Sequence, residues 1–202
     1  MIERLSQIAS RPVSRETFEK LEAYAALLKE ENKRQNLVSV SAIDNLWERH
    51  ILDCAQLVRF EPGAGSRWID LGSGAGLPGI VIACIVEGPV LLIEPRRLRA
   101  EFLHKLCESL QINASVFLGK AERAEGTGDM ITARAVANLA QLLKISAHLS
   151  TRKTVWALPK GRRAIAELAE AEGSWQGAFH VEQSVTDADS YIVVATGVRA
   201  KR

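Results

Sequence analysis

Between the apolar runs Trp68 to Leu71 and Ile80 to Val86 the chain places Gly72, Gly74, Gly76 and Gly79, with Pro78 among them. Backbone bare of side chains at the end of a strand allows positive φ and lets a ligand approach closely, the use made of the first strand-to-helix turn in open α/β sheets. Gly74-x-Gly76-x-x-Gly79 satisfies the dinucleotide pattern, and Glu94 lies 20 residues beyond Gly74, where a ribose-binding acid would stand. A dinucleotide-dependent oxidoreductase is therefore one reading. S-adenosylmethionine is the other, and two details favour it. The strand runs straight into Gly72, two residues before the dinucleotide pattern begins, and Asp70 sets a carboxylate at the strand end, where a dinucleotide site is ordinarily apolar. A carboxylate there suits an ammonium and a sulfonium better than a pyrophosphate.

The elements needed to hold this turn are legible from periodicity. Phe18, Leu21, Ala25 and Leu28 recur at helical spacing from Ser14 to Arg34. A second helix is expected from Ser41, capped by its hydroxyl with Asp44 three residues on, its stripe running through Leu46, His50, Cys54 and Leu57. These make an N-terminal helical cap over residues 1–60. Over 61–202, strands at 68–71, 90–93, 115–118, 130–133, 154–158, 177–185 and 191–198 alternate with helices until a closing hairpin. That pattern predicts an α/β fold, a mostly parallel seven-stranded sheet with one antiparallel strand.

Composition sets wide bounds. With 47% apolar and 25% charged residues and a net charge of +2, the 202-residue chain reads as an ordinary globular protein whose RNA contacts, if it has them, need a local basic patch. Candidates are Arg96, Arg97 and Arg99, then Lys160, Arg162 and Arg163, then the tail Arg199, Lys201 and Arg202. Stacking candidates are few: Trp47, Trp156, Trp175 and Tyr191. The start of the chain lacks a signal-peptide core and the longest apolar stretch, Leu77 to Val86, is too short to span a bilayer, so a cytoplasmic protein away from membranes is expected. Cys54, Cys84 and Cys107 stand apart in apolar patterns and are read as buried thiols, with no metal site.

Five segments in order carry a family resemblance: Asn36-Leu-Val-Ser-Val40, Arg49-His-Ile-Leu-Asp53, Asp70 to Gly79, Thr132-Ala-Arg-Ala-Val-Ala137 and Lys160-Gly161. The chain resembles the bacterial ribosomal small-subunit methyltransferase G family, also called the glucose-inhibited division protein B family. The resemblance implies a class I, Rossmann-like S-adenosylmethionine-dependent methyltransferase acting on N7 of one guanosine in 16S ribosomal RNA, alone or in the small subunit. It places cofactor contacts on Gly72, Leu77, Ala121, Glu122 and Arg134, beside the Gly74, Gly76 and Glu94 read from the turn. Glu94 stands where the family more often has Asp, and Ser190-Tyr191 where it usually carries an arginine.

The chemistry agrees with these residues. Guanine N7 has a free lone pair and no proton to lose, so the reaction needs placement and no general base. After the fourth strand the chain reads Ala133-Arg134-Ala135-Val136, not the Asn/Asp-Pro-Pro-aromatic run of enzymes acting on exocyclic amines. Arg134 can bond a carboxylate, a phosphate or the guanine O6 edge, and Lys160 and His50 are the other substrate candidates. Arg49 and Asp53, four residues apart, are placed to pair. A monomer is expected. A non-enzymatic RNA-binding protein on the same fold is the remaining alternative.

Overall fold

The computed structural model describes residues 1–201. Strands β1 (Trp68–Leu71), β2 (Val90–Glu94), β3 (Ala114–Leu118), β4 (Met130–Ala133), β5 (Val155–Pro159), β6 (Trp175–Gln183) and β7 (Tyr191–Ala200) form one sheet. Their order is β3-β2-β1-β4-β5-β7-β6. Only β7 runs against its neighbours, pairing antiparallel with both β5 and β6. Chain order reverses between β1 and β4, so the crevice beyond their carboxyl ends is the switch point where ligands bind in such sheets.

Alternation along the strands divides the core in two. Trp68, Leu92, Ala157, Ile192 and Val194 face helices α1 (Ile2–Ala9), α2 (Arg15–Gln35), α5 (Gly79–Ile85) and α6 (Arg97–Leu110). Ile69, Leu71, Ile131, Trp156 and Val193 face α7 (Leu139–Ser146) and α8 (Ala164–Glu172). Leu5, Leu21 and Leu28 are fully buried in the first cluster, so residues 1–60 add a layer to the sheet's own core. Helix α1 was not among the expected elements, its apolar face being only Leu5, Ile8 and Ala9.

The expected second cap helix is not continuous. Its cap is Ser39, whose hydroxyl accepts from the Ala42 N–H, and α3 (Val40–Asp44) ends at Asn45. The chain then makes a π-helical stretch over Trp47–Leu52, one α-turn α4 (Asp53–Ala55) and a 3₁₀ turn over Gln56–Phe60. Stretches of π-helix shift the side chains that follow and recur at functional sites.

Asp70 corrects a second expectation. Its carboxylate is fully buried and turned toward the fold, Oδ2 accepting from the Gly79 N–H (3.1 Å) and Oδ1 from the Thr132 hydroxyl (3.1 Å). It ties β1 to β4 and to the start of α5, and does not line the crevice. Burial, opposed by these bonds, pushes its pKa up to about 6. The unfolded chain, near 3.9, releases the proton first, so stability falls as pH rises through that window, by about 3 kcal/mol. Asp70→Asn keeps a carbonyl for Gly79 and offers an amide donor to the Thr132 oxygen, so the variant is expected to gain on wild type in melting temperature from pH 4 to pH 7. Parallel pH profiles would contradict this.

Candidate active site

The turn after β1 is built as the glycines require. Gly72, Gly74 and Gly76 have φ of +66°, +55° and +94°. Two of them are also needed for packing: a Cβ on Gly72 would lie 2.7 Å from Val136 Cγ2, and one on Gly76 2.6 Å from Ile80 Cγ1. Gly74 is different, since a Cβ there would meet only the Arg99 guanidinium and the Gly72 carbonyl, each at an ordinary contact distance of 3.6 Å, so it has room on its cleft side. That space belongs to a cleft of about 210 Å³ lined by Leu37, Val38, Gly74, Leu77, Arg99 and Arg134. From the other side Tyr24, buried on α2, donates to the Ala75 carbonyl (3.0 Å) and fixes the turn to the cap. Gly74→Val combines a β-branched residue at positive φ with a side chain in the cleft. We expect it to fold yet bind S-adenosylhomocysteine roughly tenfold to a hundredfold more weakly by calorimetry, the strain alone being about 1–3 kcal/mol; unchanged affinity would remove the cleft from the account.

Glu94 lies beneath this turn. It is 2% exposed, Oε2 accepting from the Gly74 N–H and Oε1 from the Arg96 N–H, both at 2.8 Å. A carboxylate has about four lone-pair positions, so two remain for ribose hydroxyls. The Gly119 N–H donates to the Glu94 carbonyl (3.1 Å), bringing the 3₁₀ turn Ala121–Arg123 to the same end of the sheet. Ala121 is buried there and Glu122 exposed, and neither lines the cleft.

Arg134, just past β4, joins this cleft to a second cavity. Its Nη1 donates to His50 Nδ1 (2.9 Å) and lies 3.6 Å from Asp53 Oδ2. Burial, with the guanidinium alongside, holds His50 down to about 4, so the ring is neutral near pH 7 with its proton on Nε2. That Nε2 is buried without a partner among the described residues. The π-helical stretch carries His50 and Asp53 onto Arg134, which replaces the expected Arg49–Asp53 pair. Asp53 Oδ1 is fixed by the Gln56 amide (2.8 Å) and the Thr186 hydroxyl (2.8 Å). Gln56 is fully buried and also accepts from the Val185 N–H (3.0 Å), locking the cap to the β6–β7 turn. Sequence reasoning passed over Gln56, and the signal was a polar residue in the run Cys54-Ala-Gln-Leu-Val58. Ala135 follows Arg134 at φ +56°, a conformation that costs a non-glycine residue energy and is concentrated at functional sites.

Arg134 and Ala135 line both cavities, and the second, about 300 Å³, reaches Asp53, Pro159 and Tyr191. Lys160 borders it but is not free for RNA. Its side chain is 8% exposed, Nζ donating to the Ala137 carbonyl (2.7 Å) and pairing with Glu167 Oε2 (3.2 Å). The strand-end position that suggested an open lysine also faces α8, which supplies the carboxylate. Of the basic clusters, Arg97 pairs with Glu101 and Arg162 with Asp189, while Arg96 and Arg99 have no ion pair among the described residues; Arg202 lies outside the described residues. Trp156 is core and Trp47 stacks on Phe18, which leaves Trp175 and Tyr191 half-buried. Burial pushes Cys54 and Cys84 up to about 12 and Cys107 to about 11, so none is a thiolate near neutrality.

The rRNA small subunit methyltransferase G family model matches residues 17–191. The chain belongs to this family. It is similar to the ribosomal RNA small subunit methyltransferase G of Zymomonas mobilis subsp. mobilis, 44% identical over 94% of this chain and 90% of the relative. The protein of the same name from Erythrobacter litoralis is 47% identical over 91% and 90%. Among solved structures, a mutant of MtNAS in complex with S-adenosylmethionine aligns with a TM-score of 0.59 at 17% identity, over 88% of this chain and 74% of that one. A TYW2 protein of M. jannaschii in complex with AdoMet gives 0.56 at 14%, over 75% and 76%. At such identities the likeness concerns the fold alone.

Proposed function

We propose that this methyltransferase G family member transfers a methyl group from S-adenosylmethionine to N7 of one guanosine in 16S ribosomal RNA. The observation that carries the reading is the pair of cavities: a glycine-floored cleft and a second chamber large enough for a base, with Arg134 and Ala135 in the walls of both. The groups present fit the cofactor. Gly72, Gly74 and Leu77 line the cleft, Gly76 packs against Ile80 behind it, and Glu94, buried beneath Gly74 and outside the cleft lining, keeps acceptor positions for ribose hydroxyls. Ala121 and Glu122 are assigned to the adenine end on the family resemblance and their place beyond Glu94. Bound S-adenosylmethionine supplies a methyl group on a sulfonium, activated without help from the protein.

What the chain must do is align. The N7 lone pair forms the new N–C bond as the C–S bond breaks, its electrons returning to sulfur, and the base becomes cationic without losing a proton. The reaction therefore asks for no base and no metal, and positioning can supply up to roughly 7–11 kcal/mol of the barrier. Arg134 stands at the junction, and His50, neutral and bonded to it, acts on the substrate through Arg134. Lys160 steadies the loop after β4 through Ala137. No helix among the described residues is long and apolar enough to cross a membrane. Calorimetric titration separates the readings: S-adenosylhomocysteine is expected to bind and NAD not to. Binding of NAD alone would restore the oxidoreductase, and binding of neither would favour an RNA-binding scaffold.

A further inference from the structure

Asp53 has two unlike oxygens. Oδ1 already accepts from Gln56 and Thr186, whereas Oδ2 has only Arg134 nearby, at 3.6 Å, beyond a hydrogen bond. Arg134 and Asp53 thus present a donor and an open acceptor side by side on the wall of the second cavity. Guanine carries the complement on adjacent atoms, O6 as acceptor and N1–H as donor, with O6 next to the N7 that must face the cofactor. Adenine presents the reverse, an N6 donor and an N1 acceptor, and mismatches both groups. Resting on the reading above, we propose that Asp53 and Arg134 form the guanine-reading pair, Arg134 donating to O6 and Asp53 Oδ2 accepting from N1–H. Asp53 is then the specificity-determining residue.

The pair also suits the reaction. Alkylation at N7 makes the ring cationic and its N1–H more acidic, so the bond to Asp53 strengthens as charge develops, the requirement for an interaction that raises rate as well as affinity. An arginine alone against O6 would oppose that charge, and the adjacent carboxylate offsets it. The network fixes what a substitution does. In Asp53→Asn the Gln56 and Thr186 donors hold the amide oxygen in the Oδ1 place, which leaves the NH₂ group facing the cavity, a donor against the guanine N1–H and a match for an N1 acceptor.

The test uses small-subunit RNA carrying guanine, inosine or 2-aminopurine at the mapped methylation site; all three keep N7, inosine keeps O6 and N1–H, and 2-aminopurine has neither. Wild type is expected to methylate inosine within a few-fold of guanine and to disfavour 2-aminopurine by roughly 5- to 150-fold in kcat/KM. Asp53→Asn is expected to lose most of its rate on guanine while the guanine to 2-aminopurine ratio collapses. Equilibrium competition between the two RNAs for enzyme loaded with S-adenosylhomocysteine should shift the same way. A wild-type enzyme indifferent to 2-aminopurine, or a variant that loses both substrates equally with its ratio intact, overturns the pair. Failure of wild type to methylate guanine-containing RNA overturns instead the function on which it rests.

Discussion

Arg134→Ala is expected to lower kcat/KM for methyl transfer by roughly 10²–10³-fold, the scale of removing a preorganised donor from a reaction centre. Three consequences add up at this one position. The wall shared by cofactor cleft and base cavity disappears, His50 Nδ1 loses its donor, and Asp53 Oδ2 is left as a carboxylate with no cation beside it. Arg134→Lys keeps the charge but not the planar fork, and cannot serve His50, Asp53 and a base together, so it is expected to recover only part of the loss. Steady-state kinetics on unmodified small subunits, with cofactor affinity measured separately, checks both. An alanine variant within a few-fold of wild type would show that the two cavities do not work as one site.

Lys160→Ala is expected to act on stability, by roughly 3–5 kcal/mol, because it strands a carboxylate that is nearly as buried as the lysine. Glu167 holds two ends together: its Oε2 accepts from the Leu139 N–H at the start of α7 and forms the ion pair with Lys160. The lysine in turn anchors Ala137 in the loop after β4. Denaturant unfolding should show the loss, and the double variant Lys160→Met with Glu167→Gln should regain part of it, since no charge is then left unpaired. An unfolding midpoint unmoved by Lys160→Ala, with RNA affinity reduced, would return Lys160 to the RNA surface.

The sheet was legible because its information is local. Short apolar strands bounded by turns, a glycine run after β1 and the polar turn before Tyr191 fix the number and direction of strands through patterns a few residues long. The carboxyl-end crevice follows from that topology. What escaped is set by contacts distant in sequence. Lys160 reads as an open strand-end lysine until α8 brings Glu167 against it. Asp70 reads as a ligand carboxylate until Gly79 and Thr132 claim both oxygens. His50 and Asp53 sit on what periodicity describes as one regular helix, and only the π-helical stretch turns them to Arg134. Gln56 bonds residues 128 to 130 positions away, a partnership with no local signature.

One product tests the reaction most directly. Purified protein, labelled S-adenosylmethionine and small subunits from cells lacking this gene should yield label in 16S ribosomal RNA, and nucleoside mapping should place it on N7 of a single guanosine. Label on another atom or base, or none on RNA while the cofactor binds, would contradict it.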